Sequence, residues 1–151
     1  MSPYILLKFI HVFCAIIAVG VNISYVLWIR RAEQSPAHLP YVLNMIRYLD
    51  RRLANPSYVL ILLSGLGMTA LVNSFLTTFW VVAALALYVV TALIGVFVFA
   101  PNFRRQIAAL ETEGFDSPEY RRLARRTHYL LALTVAIVVT IVALMVFRPN
   151  W

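Results

Sequence analysis

The sequence contains little charge and a single cysteine. Charged residues make up 13% of its 151 residues, whereas about a quarter is usual in a soluble domain. Because Cys14 is alone, an intrachain disulfide is excluded, and its place inside an apolar run gives no indication of a redox compartment. With 62% hydrophobic residues and a mean hydropathy of +0.83, the composition excludes an ordinary soluble protein.

Acidic residues are especially scarce, and none of them lies in an apolar run. All six occur in two polar stretches: Glu33, Asp50, Glu111, Glu113, Asp116 and Glu119. Carboxylates inside a membrane typically mark proton pathways, because an ionisable group at that depth is costly and is kept for a function. The absence of paired carboxylates from the apolar runs therefore argues against a proton-coupled pump.

What the sequence does contain is four long apolar runs, at residues 4–29, 58–76, 80–100 and 129–147. Each has about 20 residues or slightly more, which is the length that an α-helix needs to cross a hydrocarbon core of about 30 Å. The sequence therefore predicts an all-α protein, a four-transmembrane-helix bundle that forms a single membrane domain over residues 1–151. The four runs leave no room for a separate soluble domain.

The distribution of basic residues predicts the orientation. Residues 30–57 and 101–128 hold all but two of the 13 basic residues, and the exceptions are Lys8 and Arg148. Because basic loops stay on the cytoplasmic side, both stretches are predicted to be cytoplasmic and both termini to lie outside. The same rule explains the net charge of +7, so no nucleic-acid partner is predicted. The expected partners of the arginine-rich loops are the anionic headgroups of the lipid bilayer.

Local signals predict where helices begin and end. Asn55-Pro56 and Ser117-Pro118 are each typical of an N-cap followed by proline at the first helical position. Gly114 is suited to end an extension of the third helix. The link at residues 73–79 is short and uncharged, which predicts that the second and third spans form an antiparallel hairpin.

The first loop contains a pattern typical of an amphipathic helix. Its apolar residues recur at spacings of three and four: Val42, Met45, Ile46, Leu49 and Leu53. Polar residues, including Asp50, fall largely on the other side of the helical wheel. We expect this helix to lie in the membrane interface with its arginines near anionic headgroups. The alternative is a helix that packs over the cytoplasmic mouth of the bundle.

One face of the first span is polar. Residues at helical spacing form this stripe: Lys8, His11, Ala15, Ala18, Asn22 and Tyr25. Such a stripe is typical of an inward face that lines a polar cavity or a cofactor. In the alternative interpretation, small residues allow close packing while Asn22 and Tyr25 make hydrogen bonds between helices.

Small residues at four-residue spacing predict helix packing elsewhere. They occur on three spans: Gly20 and Ser24, Gly65 and Thr69, and Ala132, Ala136 and Thr140. Because small side chains let two backbones approach closely, we expect these faces to contact neighbouring helices.

His11 is the candidate ligand for a cofactor, because neutral imidazole is a good axial ligand for haem iron and helical bundles hold cofactors between facing helices. The topology separates His11 from His128 by about 20 Å along the membrane normal, which excludes a two-histidine site. Three arrangements remain for a haem at His11. The iron is five-coordinate, it takes Met145 as its sixth ligand, or it lies between two copies of His11 in a homodimer. Lys8 is positioned to pair with a propionate. His11 and Cys14 alone are too few ligands for another metal site.

Several motifs resemble a bacterial family of four-span membrane proteins of unknown function. They are Leu7-Lys8-Phe9-Ile10-His11, Gly20, Arg30-Arg31, Pro56-Ser57, Tyr120-Arg121-Arg122-Leu123 and His128. The resemblance covers nearly the whole chain and implies a multi-pass protein of the bacterial inner (cytoplasmic) membrane. The chain is more distantly similar to the membrane protoporphyrinogen oxidase of haem synthesis and to copper-resistance D-type membrane proteins. That similarity implies haem or porphyrin handling at His11, although the further histidine and lysine expected of the oxidase are missing from the later spans.

The leading functional hypothesis is binding of haem b or a related tetrapyrrole, for electron transfer or haem handling. The predicted site comprises His11 as the iron ligand, with Lys8, Asn22, Tyr25 and Met145. One alternative is a non-catalytic subunit or scaffold of a larger membrane complex. Another is a quinone or small-molecule binding protein that uses the same stripe. The sequence supports no prediction about catalysis.

Overall fold

The computed structural model describes residues 2–72 and 78–149, and almost all of them are helical. The first helix, α1, spans Pro3–Glu33 and is followed by a short 3-10 turn at Pro36–His38. Helix α2 spans Leu39–Leu49, and a π-turn at Asp50–Ala54 joins it to α3, which spans Asn55–Leu71. Residues 73–77, which include most of the uncharged link and the end of the second predicted span, lie outside the described residues.

In the second half of the chain, the helix that contains a π-turn comes first and the uninterrupted helix follows. Helix α4 spans Phe79–Leu93, a π-turn covers Ile94–Phe99, and α5 spans Ala100–Glu113. Helix α6 spans Pro118–Phe147. Within the described residues, four continuous helices are long and apolar enough to cross a membrane: Pro3–Glu33, Pro36–Leu71, Phe79–Glu113 and Pro118–Phe147. The predicted all-α fold with four membrane-spanning helices is therefore confirmed.

The predicted helix boundaries around Gly114 and Ser117 are confirmed. Gly114 has a φ of +86°, a backbone conformation that favours glycine, and α5 ends immediately before it. The backbone N–H of Tyr120 donates to the side-chain oxygen of Ser117 at 3.1 Å, so Ser117 is a true N-cap of α6.

The predicted N-cap at Asn55 is wrong. The helix that carries α3 begins at Pro36, so Asn55 lies inside it with helical backbone angles. The N–H of Asn55 donates to the carbonyl of Asp50, five residues earlier, and Pro56 follows directly. A proline ring clashes with the carbonyl four residues before it, and the wider π-turn relieves that clash without ending the helix.

The helices pack as two pairs. Helix α3 packs along α1, whereas α4 and α5 pack against α6. Contacts of α1 with α6 and of α2 with α5 join the pairs. The second and third spans, which were predicted to form a hairpin, contact each other little within the described residues, because α3 packs mainly on α1. The hydroxyl of Tyr88 on α4 still donates to the backbone carbonyl of Tyr58 on α3 at 2.9 Å.

The main buried core lies at one end of the bundle, which we call the loop side because it holds residues 30–57 and 101–128. We call the opposite end the turn side. The core combines apolar residues from the end of α1, from α2 and α5, and from the beginning of α6. Leu39, Leu43 and Ile46 of α2 are fully buried in it. The predicted amphipathic helix is therefore present, and its contacts favour the alternative in which it packs over the mouth of the bundle.

Candidate functional site

The candidate site is the contact between α1 and α3, which we call the α1/α3 seam. The buried residues of α1 recur every three or four positions along the helix: His11, Cys14, Ala18, Asn22, Tyr25, Ile29 and Ala32. Ser57 and Ser64 are the buried residues of α3. The sequence-predicted stripe is therefore an inward face for His11, Ala18, Asn22 and Tyr25, as its periodicity indicated. Lys8, at the turn-side end of the stripe, is exposed.

His11 is fixed against α3 by polar contacts and by close packing. Its Nδ1 lies 2.9 Å from the carbonyl oxygen of Ile61 and 3.2 Å from the hydroxyl oxygen of Ser64. A carbonyl oxygen can only accept a hydrogen bond, so the contact with Ile61 requires the proton on Nδ1. A Cβ placed on Gly65 would lie 3.2 Å from Cε1 of the ring. The imidazole is therefore held in one orientation, with Nε2 as the unprotonated nitrogen when the ring is neutral.

A second polar group lies further along the seam toward the loop side. The side-chain amide of Asn22 donates to the carbonyl of Ala18 at 2.8 Å and also to the hydroxyl of Tyr58. The hydroxyl of Tyr25 is buried and has no hydrogen-bond partner among the described residues. Asn22 and Tyr25 therefore differ in role: Asn22 connects α1 to α3, as the packing interpretation predicted, whereas Tyr25 keeps an unused polar atom in the interior.

Asp50 is a member of this group that the sequence analysis missed. It is half-buried at the start of the first π-turn, and that turn contacts α1. The sequence signal for its burial is that Asp50 continues the buried face of α2 at helical spacing after Leu43 and Ile46, whereas its neighbours depend on how α2 packs against α1. The sequence analysis placed Asp50 on the polar side of the amphipathic helix, whereas the structure half-buries it.

Met145 and His128 lie on α6, whereas the partners that orient His11 lie on α3. Met145 is half-buried. His128 belongs to the loop side, where its Nδ1 lies 2.9 Å from the carbonyl of Ala124 and its Nε2 lies 3.6 Å from the carboxylate of Glu33. No group of three or more histidine, cysteine, aspartate or glutamate side chains that could hold a metal ion occurs within residues 2–72 and 78–149.

A buried polar network between α5 and α6 was also missed. Asn102 donates to the hydroxyl of Thr127 at 3.0 Å and to the carbonyl of Leu123 at 3.2 Å. Thr127 in turn donates to the side-chain oxygen of Gln106 at 2.5 Å. The available signal was the four-residue spacing of Asn102 and Gln106, which places both amides on one helix face. This network lies in the loop-side part of the bundle and fastens α5 to α6.

The small-residue stripes have different surroundings. Gly65 meets His11, as predicted for a packing position. Gly20 has open space around it, and the stripe on α6 is exposed along its length at Ala132, Ala136 and Thr140. The prediction of packing within this chain is therefore wrong for α6. Those residues lie on the outer face of the helix because α4 and α5 pack on its other faces.

Comparison with known proteins gives one family. A family model described as "Predicted integral membrane protein (DUF2269)" matches residues 5–149. No significant match was found among curated proteins or among solved structures. The similarity to protoporphyrinogen oxidase and to copper-resistance proteins is therefore not shown, and it stays a prediction from the motifs alone.

Proposed function

Because the chain belongs to this family of predicted integral membrane proteins, whose description names no ligand, we propose a function from the chain's own residues: binding of haem b or a related tetrapyrrole, with His11 as an axial ligand. The observation that carries the proposal is the contact between Nδ1 of His11 and the carbonyl of Ile61. Histidines that ligate metals nearly always donate their other ring N–H to a carbonyl or carboxylate, which fixes the tautomer. That bond leaves Nε2 of His11 as the ligand nitrogen.

The arrangement of the helix pairs is compatible with a flat macrocycle at this depth. The α1/α3 pair and the α4/α6 pair are joined mainly on the loop side. Within the described part of α6, no residue after Leu131 is buried, and Ala84 is the buried residue of α4. The proposal places the tetrapyrrole between these two pairs on the turn side, where α4 and the later part of α6 bury few residues.

Two other predicted site residues, Lys8 and Met145, are considered as partners of the bound haem. Lys8 is exposed one turn from His11 toward the turn side, and its ammonium group is suited to pair with a propionate. The hydrogen bonds of His11 define one axial position, so the iron is five-coordinate, takes Met145 of α6 as its sixth ligand, or binds a second His11 from another copy of the chain. A bound haem would supply one-electron redox chemistry, and the chain's own contribution is to orient the ligand nitrogen and to exclude water.

We place this activity in the bacterial cytoplasmic membrane, with residues 30–57 and 101–128 in the cytoplasm. The support is the concentration of arginine in these two stretches. On this orientation His11 lies in the outer half of the bilayer. Electron transfer or haem handling near the outer surface is the role that fits that depth.

The absorption spectrum of the purified protein tests the proposal. We expect protein produced with ample haem to show a Soret band, and the His11→Ala variant to lose at least about 90% of it, because the iron loses its protein ligand. His128→Ala is the matched control, since that histidine lies on the loop side, and it should keep the band. A wild-type protein without a Soret band, or a His11→Ala variant that keeps it, would contradict the proposal.

A second candidate function is that of a non-catalytic subunit of a larger membrane complex. The exposed stripe at Ala132, Ala136 and Thr140 favours it, because small residues at this spacing let another helix approach closely. In mild detergent we expect the particle that contains the chain to exceed the mass of one chain, and Ala136→Trp to reduce it to one chain. Val142→Trp, at another exposed position of α6, should leave the particle intact. A wild-type particle of one chain excludes this candidate.

A further inference from the structure

A basic groove lies on the loop side, away from the α1/α3 seam. It is a wide-open depression of about 620 Å³ along the first turns of α6. The residues that matter for its chemistry are Asp116, Arg121, Arg122, Arg125, Arg126 and Tyr129. Four guanidinium groups around one open space make a site for an anion, because each presents several N–H donors in a planar arrangement.

The charge of the groove is not neutralised by its own carboxylates. Arg121 is paired with Asp116 at 2.7 Å, and Arg122 is paired with Glu119 at 2.9 Å. Arg125 makes no ion pair with any residue that the structure describes, and the same holds for Arg126. Both are exposed. Two of the four guanidinium groups are therefore available to an external anion, while the carboxylates hold Arg121 and Arg122 in place.

The position of the groove on α6 indicates the kind of anion. Tyr129 is the first residue of the apolar run at 129–147, and 70% of its surface is exposed. Tyrosine at the end of an apolar run prefers the depth of the lipid headgroups. Arg125 and Arg126 are one turn away on the polar side, which is about 5 Å at 1.5 Å per residue. A phosphate held there would lie at the headgroup depth, with apolar helix surface continuing below it.

We propose that this groove binds the phosphate group of an anionic phospholipid from the leaflet on the loop side. Arg125 and Arg126 donate charge-assisted hydrogen bonds to the phosphate oxygens. Tyr129 contacts the glycerol region, and the acyl chains extend along the apolar surface of α6. The proposal does not depend on a cofactor at His11, since the groove and the α1/α3 seam share no residue.

Lipid titration of the protein in zwitterionic nanodiscs tests this assignment. We expect phosphatidylglycerol to bind saturably, as counted by native mass spectrometry, and the double variant Arg125→Gln/Arg126→Gln to bind about 30-fold more weakly. That factor corresponds to two arginines that each contribute about 1 kcal/mol near an anionic surface. Arg104→Gln/Arg105→Gln is the matched control, because this pair is exposed on α5 and does not line the groove. It should change binding less than threefold.

Three results would overturn the proposal. Equal losses in the two double variants would show general attraction to a basic surface instead of a site. Unchanged binding in Arg125→Gln/Arg126→Gln would show that these residues do not hold the lipid. Inorganic phosphate or glycerol 3-phosphate that competes at the concentration of the lipid would show a site for a soluble anion. If the double variant does not fold by circular dichroism, Arg126→Gln alone replaces it, with an expected loss of about fivefold.

Discussion

At the scale of single residues, Gly65 determines how closely the imidazole of His11 approaches α3. A Cβ at this position would lie 3.2 Å from Cε1 and 3.4 Å from Nδ1 of the ring. These distances are shorter than most contacts of a Cβ atom, so the ring would have to move by a few tenths of an ångström. The hydrogen bond from Nδ1 to the carbonyl of Ile61 at 2.9 Å opposes that movement. The absence of a side chain at Gly65 is therefore what allows the histidine to reach a backbone acceptor on the neighbouring helix.

This contact makes a testable difference between two glycines. Replacing a helical glycine by alanine ordinarily stabilises a helix by about 0.5–1 kcal/mol, and Gly20→Ala should show that gain because its surroundings are open. Gly65→Ala must displace the His11 ring, so we expect it to be at least about 1 kcal/mol less stable than Gly20→Ala. Reversible unfolding in mixed detergent micelles measures both. Equal stability of the two variants would show that the ring moves without cost.

The residues of the seam also show what periodicity can predict. His11, Asn22 and Tyr25 were predicted to face inward because they share one side of a long, regular helix, and each is buried. Asp50 was not predicted to join them, because its position depends on where α2 is placed against α1 and on the π-turn that begins at Asp50. Helical spacing predicts which residues of one segment share a face, whereas contacts between segments depend on the packing of the whole bundle.

At the scale of secondary-structure elements, two similar dipeptides have different outcomes. Ser117-Pro118 begins α6, but Asn55-Pro56 lies inside a continuous helix. The difference lies upstream. Gly114, with a φ of +86°, ends α5 before Ser117, whereas α2 continues through a π-turn into Asn55. A capping signal therefore starts a helix where a preceding element has been stopped, and the dipeptide alone does not contain that information.

Both π-turns lie just before a proline. In each, the residue just before a proline donates its N–H to the carbonyl five residues earlier: Asn55 to Asp50, and Ala100 to Gly95. Pro56 and Pro101 follow directly. Each proline disturbs the regular hydrogen-bond pattern of its helix, and a wider turn keeps the helix continuous. One consequence for the site is that the first of these turns begins at the half-buried Asp50 and contacts α1.

At the scale of the whole molecule, burial is distributed unevenly along the membrane normal. The loop side holds the apolar core and the network of Asn102, Gln106 and Thr127. On the turn side the α4/α6 pair contributes contacts such as that between the guanidinium of Arg148 and the ring of Trp80, at 5.5 Å. Much of the apolar surface there faces outward, as expected where lipid is the neighbour. The free energy of unfolding should therefore depend mainly on loop-side contacts.

Two leucines on the same long helix, Pro36–Leu71, test this distribution. Leu43 is completely buried in the loop-side core, whereas 60% of Leu63 is exposed nearer the turn side. Leu43→Ala should lower the free energy of unfolding by about 2–5 kcal/mol, because it removes buried methyl groups and leaves a cavity. Leu63→Ala should change it by less than about 1 kcal/mol, because lipid takes the place of the missing atoms. Circular dichroism during unfolding in mixed micelles measures both values. A similar loss in the two variants would mean that the two ends of the bundle contribute equally, and the arrangement of two helix pairs joined mainly on the loop side would then be wrong.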